Sequence, residues 1–477
     1  MVNAVKTKTL AHGLLAHGTA GYTSVCVWIT LSPSLDTSKA AMPPEEFAHR
    51  RRELMRCMGP GAIAIVPAAH EKLRNRDTQY PFRQDSDFHY LTGFPEPEAV
   101  AVLVPGRKPA EYILFCRERD VLMETWNGRR AGPEGAVREY RAGDAFPIGD
   151  IDDILPGLME RCERVYYTMG NHPEFDTRVI GWVNSLRAQG TAAPQAPQEF
   201  VSLDHHLHDL RLYKSRAELE AMRQAAAISM RAHERAMRTC RPGMNEAELE
   251  AEFLYEFRRA GGVPAYNPIV GGGANSCVLH YIDNNCTLKD GDLVLIDAGC
   301  EYQSYAADIS RTFPVNGRYT AEQRAICELV IAAQAAAIGK MRAGRHWNEP
   351  HAAAVKVLTA GLVKLGLLKG PVAKLIRDEA YKKFYMHRTG HWLGLDVHDV
   401  GDYKVDDNWR VLEPGMVMTA EPGIYIAAGT KGIAKRWWNI GVRIEDDVLV
   451  TRGAPEVLSG ALIKQPDDIE AFMRPAA

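Results

Sequence analysis

The stretch Lys289-Asp-Gly-Asp-Leu-Val-Leu-Ile-Asp297 decides the first question of architecture: an Asp-Gly turn feeds the apolar run Leu293 to Ile296, which stops on a carboxylate. Such a run, bounded by turn signals, predicts a short buried strand. An acid at its end needs a partner, because an isolated charge beside apolar groups is costly. The next strand-like segment, Ser304 to Phe313, is expected to put Tyr305, Ala307, Ile309, Arg311 and Phe313 on one face and Ala306, Asp308, Ser310 and Thr312 on the other. Asp297 and Asp308 would then meet across a hairpin. Two acids brought together repel unless a proton or a cation lies between them.

The same pattern recurs downstream. Val417 to Ala420 leads into Glu421, where Pro422-Gly423 breaks the strand, and in Gly441-Val-Arg-Ile-Glu445 alternation sends Arg443 and Glu445 to one side, with Asp446 facing away. The segment His387-Arg-Thr-Gly-His391-Trp-Leu-Gly-Leu-Asp-Val-His398 brings three imidazoles into twelve residues, and His280 is a fourth candidate. This is not a zincin helix, since Arg388 follows the first His and Gly390 and Gly394 weaken a helix. Taken singly, each feature has an ordinary explanation: a turn acid, a hydrogen-bonded histidine, a surface charge pair at Arg443 and Glu445. Taken together, four acids and several histidines in one half of the chain point to a metal site. Four carboxylates and one His suit Mn²⁺, with Zn²⁺, Co²⁺ or Fe²⁺ as alternatives. Five side chains exceed one catalytic zinc with an open position. Two ions roughly 3.5 to 4 Å apart, sharing carboxylates, suit hydrolysis.

Moving outward, Ser215 and Glu218 form a capping box ahead of Leu219, Met222, Ala226 and Met230 at helical spacing, so a second domain is expected over residues 214–477. Its helices alternate with short strands punctuated by Asp290-Gly291, Asn316-Gly317 and Pro414-Gly415. Before it, a helix from Pro43 and strands at Ala62 to Val66, Val100 to Val104 and Tyr112 to Phe115 predict an α/β domain over residues 42–213. The overall class is α/β (α+β). Ala188 to Gln198 reads as a linker or surface loop, and residues 1–41 as a loosely ordered extension with Met42 a candidate natural start.

Composition narrows the function further. The 57 Lys+Arg against 60 Asp+Glu give a net charge of −3, which provides no global reason to bind nucleic acid or anionic lipid. No apolar stretch reaches the roughly 18 to 20 residues of a membrane span. Nine scattered cysteines without a CxxC pair read as reduced thiols in a cytoplasmic protein and exclude a zinc ribbon.

At these residues the sequence resembles the pita-bread metallopeptidases, and among them the bacterial Xaa-Pro aminopeptidase (aminopeptidase P) family. The likeness runs from about residue 43 to the C-terminus. It is carried by Asp290-Gly-Asp-Leu-Val-Leu-Ile-Asp297-Ala-Gly, Asp308-Ile-Ser-Arg-Thr-Phe-Pro, His391-Trp-Leu-Gly-Leu-Asp-Val-His398, Glu413-Pro-Gly-Met, Glu421-Pro-Gly-Ile-Tyr425 and Arg443-Ile-Glu445-Asp-Asp, in that order. The N-terminal half resembles a creatinase-like domain through Tyr80-Pro-Phe-Arg-Gln-Asp-Ser-Asp-Phe88 and Leu91-Thr-Gly-Phe94. The resemblance implies that Asp297, Asp308, His391, Glu421 and Glu445 are the metal ligands, with Asp308 and Glu445 bridging two ions. It implies that Glu421 moves a proton, that His280, His387 and His398 bind substrate, and that Tyr425 and Arg443 orient the site. Asp77 and Trp126 match positions that approach a neighbouring subunit's site, so a homotetramer or dimer is expected. The implied substrates are peptides with proline in second position.

Two departures stand out: His89 where Trp is expected, and Arg388-Thr389 where neutral residues are expected. The rivals are a prolidase, a methionine aminopeptidase, a metal-free creatinase-type hydrolase and a non-catalytic binding scaffold. Intact ligands disfavour the last two, and the large N-terminal domain disfavours the second.

Overall fold

The computed structural model describes residues 42–189 and 195–474, so the expected extension, residues 1–41, lies outside the described residues. The first helix, Pro44–Met58, starts at a proline and buries Phe47, Arg50, Arg51, Leu54 and Met58 along one stripe. Behind it lies a six-stranded mixed sheet in the order Asp144–Pro147, Tyr112–Cys116, Val100–Leu103, Ala62–Pro67, Arg164–Tyr166, Glu199–Val201. Alternation sorts its residues to two faces. Ile63, Ile65, Val100, Val102, Ile113 and Phe115 pack on helices Ile151–Met159 and Pro173–Ala188. Ala64, Val66, Ala101, Leu103 and Leu114 face the other way. Glu199–Val201 pairs with Arg164–Tyr166 in this sheet, and of the expected linker or loop from Ala188 to Gln198, residues 190–194 lie outside the described residues.

The second layer of the fold begins with helix Arg216–Thr239, whose capping box uses Ser215 and Glu218 as the spacing predicts. Ala221, Met222, Ala225 and Ala226 join the core under the N-terminal sheet, so one apolar cluster runs through both halves. Polar groups reinforce the join: Arg50 donates to the Tyr305 hydroxyl at 3.1 Å, and that hydroxyl donates to Glu218 at 2.9 Å. Helices Glu246–Arg259, Ala321–Ile338 and Asn348–Lys364 then surround short antiparallel strands. One sheet orders Ile269–Gly272, Leu293–Asp297 and Ser310–Pro314; two others pair Val417–Ala420 with Asp446–Leu449 and Gly423–Ile426 with Ile440–Arg443.

Two expected strands are each split. Ser304 to Phe313 is not continuous: Gln303 and Ser304 take positive φ, Tyr305–Ala306 folds back on Glu301–Tyr302, and pairing resumes only at Ser310. The chain changes partner at Ala307 to Ile309, so Asp297 lies opposite Ser310 rather than Asp308. Likewise Ile440–Arg443 and Asp446–Leu449 belong to different sheets, with Ile444 and Glu445 at the changeover. Asp308, Ser310 and Thr312 still share one face, whereas Tyr305, Ala306 and Ala307 all enter the same apolar cluster. The eight cysteines among the described residues are free.

Candidate metal centre

Each acid arrives where an apolar strand ends. Leu293–Asp297 delivers Asp297, Val417–Ala420 delivers Glu421, and the two partner changes turn buried Asp308 and Glu445 toward them. His391 comes from an irregular segment held flat by glycine: a Cβ on Gly390 would collide with the Thr419 carbonyl. The His391 amide donates to Thr419 Oγ1 at 3.2 Å, and the Glu421 amide donates to the Thr389 carbonyl at 2.8 Å. Thus the His and Glu segments are laced together by hydrogen bonds from backbone amides.

The side chains converge. His391 Nε2 lies 3.4 Å from Asp308 Oδ2 and 3.8 Å from Glu421 Oε1. Atoms of Asp308, His391 and Glu445 all fall within 4.8 Å of one another. Asp297 is tied in through Tyr266, whose hydroxyl lies 2.6 Å from Asp297 Oδ1 and 2.6 Å from Asp308 Oδ1. Arg443 supplies the fixed cation. Its Nη2 donates to Asp297 Oδ2 at 2.6 Å, its Nη1 to the Tyr425 hydroxyl at 3.0 Å and its Nε to Ser310 Oγ at 2.9 Å, and that hydroxyl donates to Glu445 Oε2 at 2.8 Å. Asp446 faces away onto Arg311 and Lys464.

The electrostatics identify what the cluster accommodates. Burial pushes Glu445 well above the usual carboxylate range, with repulsion from Asp308, Glu421 and Asp297 adding to it. Burial likewise takes Glu421 up to about 7, and raises Asp297 although Arg443 opposes the rise. Burial also works against charge on Asp308, but hydrogen bonding and attraction from His391 outweigh it and hold Asp308 low. His391 itself rises to about 9 against burial, through Asp308 and Glu421. Four acids facing one arginine and one imidazole are therefore short of positive charge. Divalent cations correct that shortage, and the oxygen-rich donor set suits them. The imidazole is prepared for ligation: its Nδ1 contacts the Trp392 carbonyl at 3.0 Å, which directs Nε2 to the acids.

Of the other predicted residues, His387 and Tyr425 join the cluster through a 2.9 Å contact from Nε2 to the phenol, and His387 Nδ1 lies 3.5 Å from Glu421 Oε2. His398 is exposed and packs its ring on His391 at a centroid distance of 4.3 Å. His280 is exposed beside Leu279, whose carbonyl accepts from Arg443. Asp77 sits in the turn of a short hairpin and Trp126 on helix Val121–Asn127; among the described residues no hydrogen bond or ion pair links either to the cluster. Three contributors escape sequence reasoning. Tyr266 is a lone tyrosine between two prolines, with no ligand spacing to mark it. Ser310 carries no charge and no ligand spacing, although alternation places it on the face of Asp308. Asp447 accepts from the Asp308 amide through both oxygens at 3.2 Å, and its only mark was its place in the Glu445-Asp-Asp run.

Comparison with known proteins agrees with this geometry. Residues 220–452 match the model of metallopeptidase family M24, and residues 47–166 match the aminopeptidase P N-terminal domain. The chain is 44% identical over 431 residues to an Escherichia coli (strain K12) protein named Xaa-Pro aminopeptidase, covering 90% of this chain and 97% of that one. A solved structure of a Pseudomonas aeruginosa aminopeptidase superposes with a TM-score of 0.90 at 60% identity, covering 91% and 98% of the two chains. A zinc-substituted E. coli aminopeptidase P with product gives 0.88 at 44% identity, covering 91% and 99%.

Proposed function

The chain belongs to metallopeptidase family M24, as a relative of the Xaa-Pro aminopeptidases, and from that membership we propose that it hydrolyses the first peptide bond of peptides with proline in second position, releasing the first amino acid. The observation that carries the proposal is the convergence of Asp308, His391, Glu421 and Glu445, with Asp297 joined to them through Tyr266, in one buried, charge-deficient cluster. When bound, two divalent ions supply Lewis acidity and activate water near neutral pH. Asp297, Asp308, His391, Glu421 and Glu445 would hold them, and Mn²⁺ is the ion we propose.

The remaining roles follow from position. Glu421, whose carboxyl sits near neutrality before metal binds, moves the proton between nucleophile and leaving amine. His280 and His398, on the exposed side of the cluster, bind the peptide and stabilise charge that develops on the scissile carbonyl. Arg443 and Tyr425 hold His387 and Asp297 in register. Trp126 is 78% exposed, as a residue reserved for a neighbouring subunit would be, and we place it with Asp77 at the contact in a homotetramer or dimer. Among the described residues no helix is long and apolar enough to cross a membrane, and our reading is a cytoplasmic enzyme.

The test is cleavage of Arg-Pro-Pro and Ala-Pro by metal-stripped protein, with and without Mn²⁺, beside Asp297→Asn. Mn²⁺-dependent release of Arg from the tripeptide, lost in the variant, is expected. Cleavage of Ala-Pro alone would make the enzyme a prolidase, and cleavage of neither would return it to the class of binding scaffolds.

A further inference from the structure

Arg388 follows His387 directly and is exposed. Its guanidinium carbon lies 4.9 Å from the centre of the Trp409 ring, and Lys404 Nζ lies 5.0 Å from the centre of the same ring. Two cations thus converge on one indole, an arrangement attractive for each but repulsive between them. Neither has a carboxylate partner among the described residues. Nearby cations do: Lys382 pairs with Glu379 at 2.7 Å, Arg345 with Glu349 at 3.3 Å, and Arg410 with Asp209.

The platform is anchored. Lys404 and Trp409 face each other across a two-stranded hairpin whose turn, Asp406-Asp407, takes positive φ at both residues. The Trp409 carbonyl contacts His346 Nδ1 at 2.8 Å. Arg388 is equally fixed at its backbone: His387 before it reaches Tyr425, and Thr389 after it accepts from the Glu421 amide at 2.8 Å. Arg388 is therefore flanked in the chain by two residues bonded to the cluster, and Lys404 shares its indole. A peptide held with its first carbonyl at the metals runs outward at about 3.3 to 3.6 Å per residue, so the groups after proline lie beyond the cluster, among the residues that flank it.

We propose that Arg388 and Lys404, mounted on Trp409, form a carboxylate-recognition element that favours substrates carrying a negative charge just after the proline. The inference rests on the Xaa-Pro aminopeptidase reading and specifies which peptides that site prefers. The carboxylate has two sources, the free C-terminus of a tripeptide or an acidic third side chain. Arginine's planar fork matches a carboxylate, and Lys404 adds a second charge.

The test compares kcat/KM for Ala-Pro-Ala, Ala-Pro-Ala-amide and Ala-Pro-Glu-amide in Mn²⁺-loaded enzyme and in Arg388→Gln, Arg388→Lys and Lys404→Gln. The parent should favour at least one charged peptide over the neutral amide by about threefold to tenfold, chiefly through KM, the range of a partly exposed charge pair. Arg388→Gln should bring that ratio close to one, Arg388→Lys should keep part of it, and added salt should lower it. Loss confined to Ala-Pro-Ala identifies the terminal carboxylate, and loss confined to Ala-Pro-Glu-amide the side chain. Calorimetric binding of Pro-Leu and Pro-Leu-amide gives a readout independent of turnover, with the acid expected to lose affinity in Arg388→Gln and the amide not. Equal rates on all three peptides in the parent, or ratios untouched by Arg388→Gln, overturn the proposal while leaving the aminopeptidase reading intact. Cleavage of none of the three overturns that reading itself.

Discussion

Tyr266 shows how tightly single residues are constrained here. Its hydroxyl has one proton but two carboxylate oxygens at 2.6 Å, so it can donate to only one of Asp297 and Asp308 at a time. Tyr266→Phe is expected to weaken Mn²⁺ binding about 10- to 100-fold, as loss of a partner behind metal ligands does, read from activity against free Mn²⁺. Protons compete for the same acids. Glu421 is raised from 4.5 to about 7, so between those values the metal-free fold holds a proton that the unfolded chain has released. That contribution is fully present below about pH 4.5 and is lost as pH rises through about 7. Deprotonation simultaneously favours metal binding. The Tm gap between Mn²⁺-loaded and metal-free protein should therefore widen from about pH 6 to about pH 8, measured by scanning calorimetry; a constant gap would contradict this charge balance. Asp297 and Glu421 were legible in the sequence because each ends an abrupt apolar run, and Asp308 and Glu445 because alternation sets each on one face of a strand-like segment. Tyr266 was not, since nothing local distinguishes a metal-site tyrosine from any other.

Between elements, the decisive feature is the crossing that carries Asp297 and Asp308. Helix Arg216–Thr239 reaches it through buried His233, whose Nε2 lies 3.2 Å from the Ala298 carbonyl and 3.0 Å from the Ile309 carbonyl. Each carbonyl belongs to the residue following a predicted ligand. Burial, with Arg311 nearby, drops His233 to about 3, so the ring is neutral and donates from Nε2. Gly299 completes the fit, because a Cβ there would collide with the Ala307 carbonyl. His233→Phe is expected to cost about 1 to 3 kcal/mol in urea unfolding by leaving two buried carbonyls without this donor, and His233→Gln less. Retained Mn²⁺ affinity in the Phe variant would show that the clamp serves stability alone. Reading Ser304 to Phe313 as one strand failed here because side-chain alternation records which face a residue takes, not which strand it pairs with. Asp308, Ser310 and Thr312 do share the site face. The partner change is set by the turn at Gln303-Ser304 and by helix contacts remote in sequence.

At the scale of the whole molecule, the described residues make one compact unit, so the creatinase-like half is built into the enzyme rather than tethered to it. Arg211 binds Asp87 at 2.6 Å, Asp396 at 2.8 Å and buried Asp399, next to His398, at 2.5 Å. The N-terminal half thereby holds the histidine loop. It also carries the most conspicuous unsatisfied surface among the described residues: helix Val121–Asn127 buries none of its side chains, leaving Val121 81%, Leu122 70% and Trp126 78% exposed. Adjacent apolar side chains on one short helix are costly in water and mark a contact surface. If that contact is the subunit interface proposed above, Leu122→Glu should lower the mass seen by sedimentation equilibrium without lowering thermal stability of the separated chain. Trp126→Ala should raise KM for tripeptides by about tenfold, the loss of a roughly 1.4 kcal/mol contact, if its ring reaches the neighbouring site. A monomeric parent, or an unchanged assembly in Leu122→Glu, would assign this helix to a different partner and leave each chain to complete its own site.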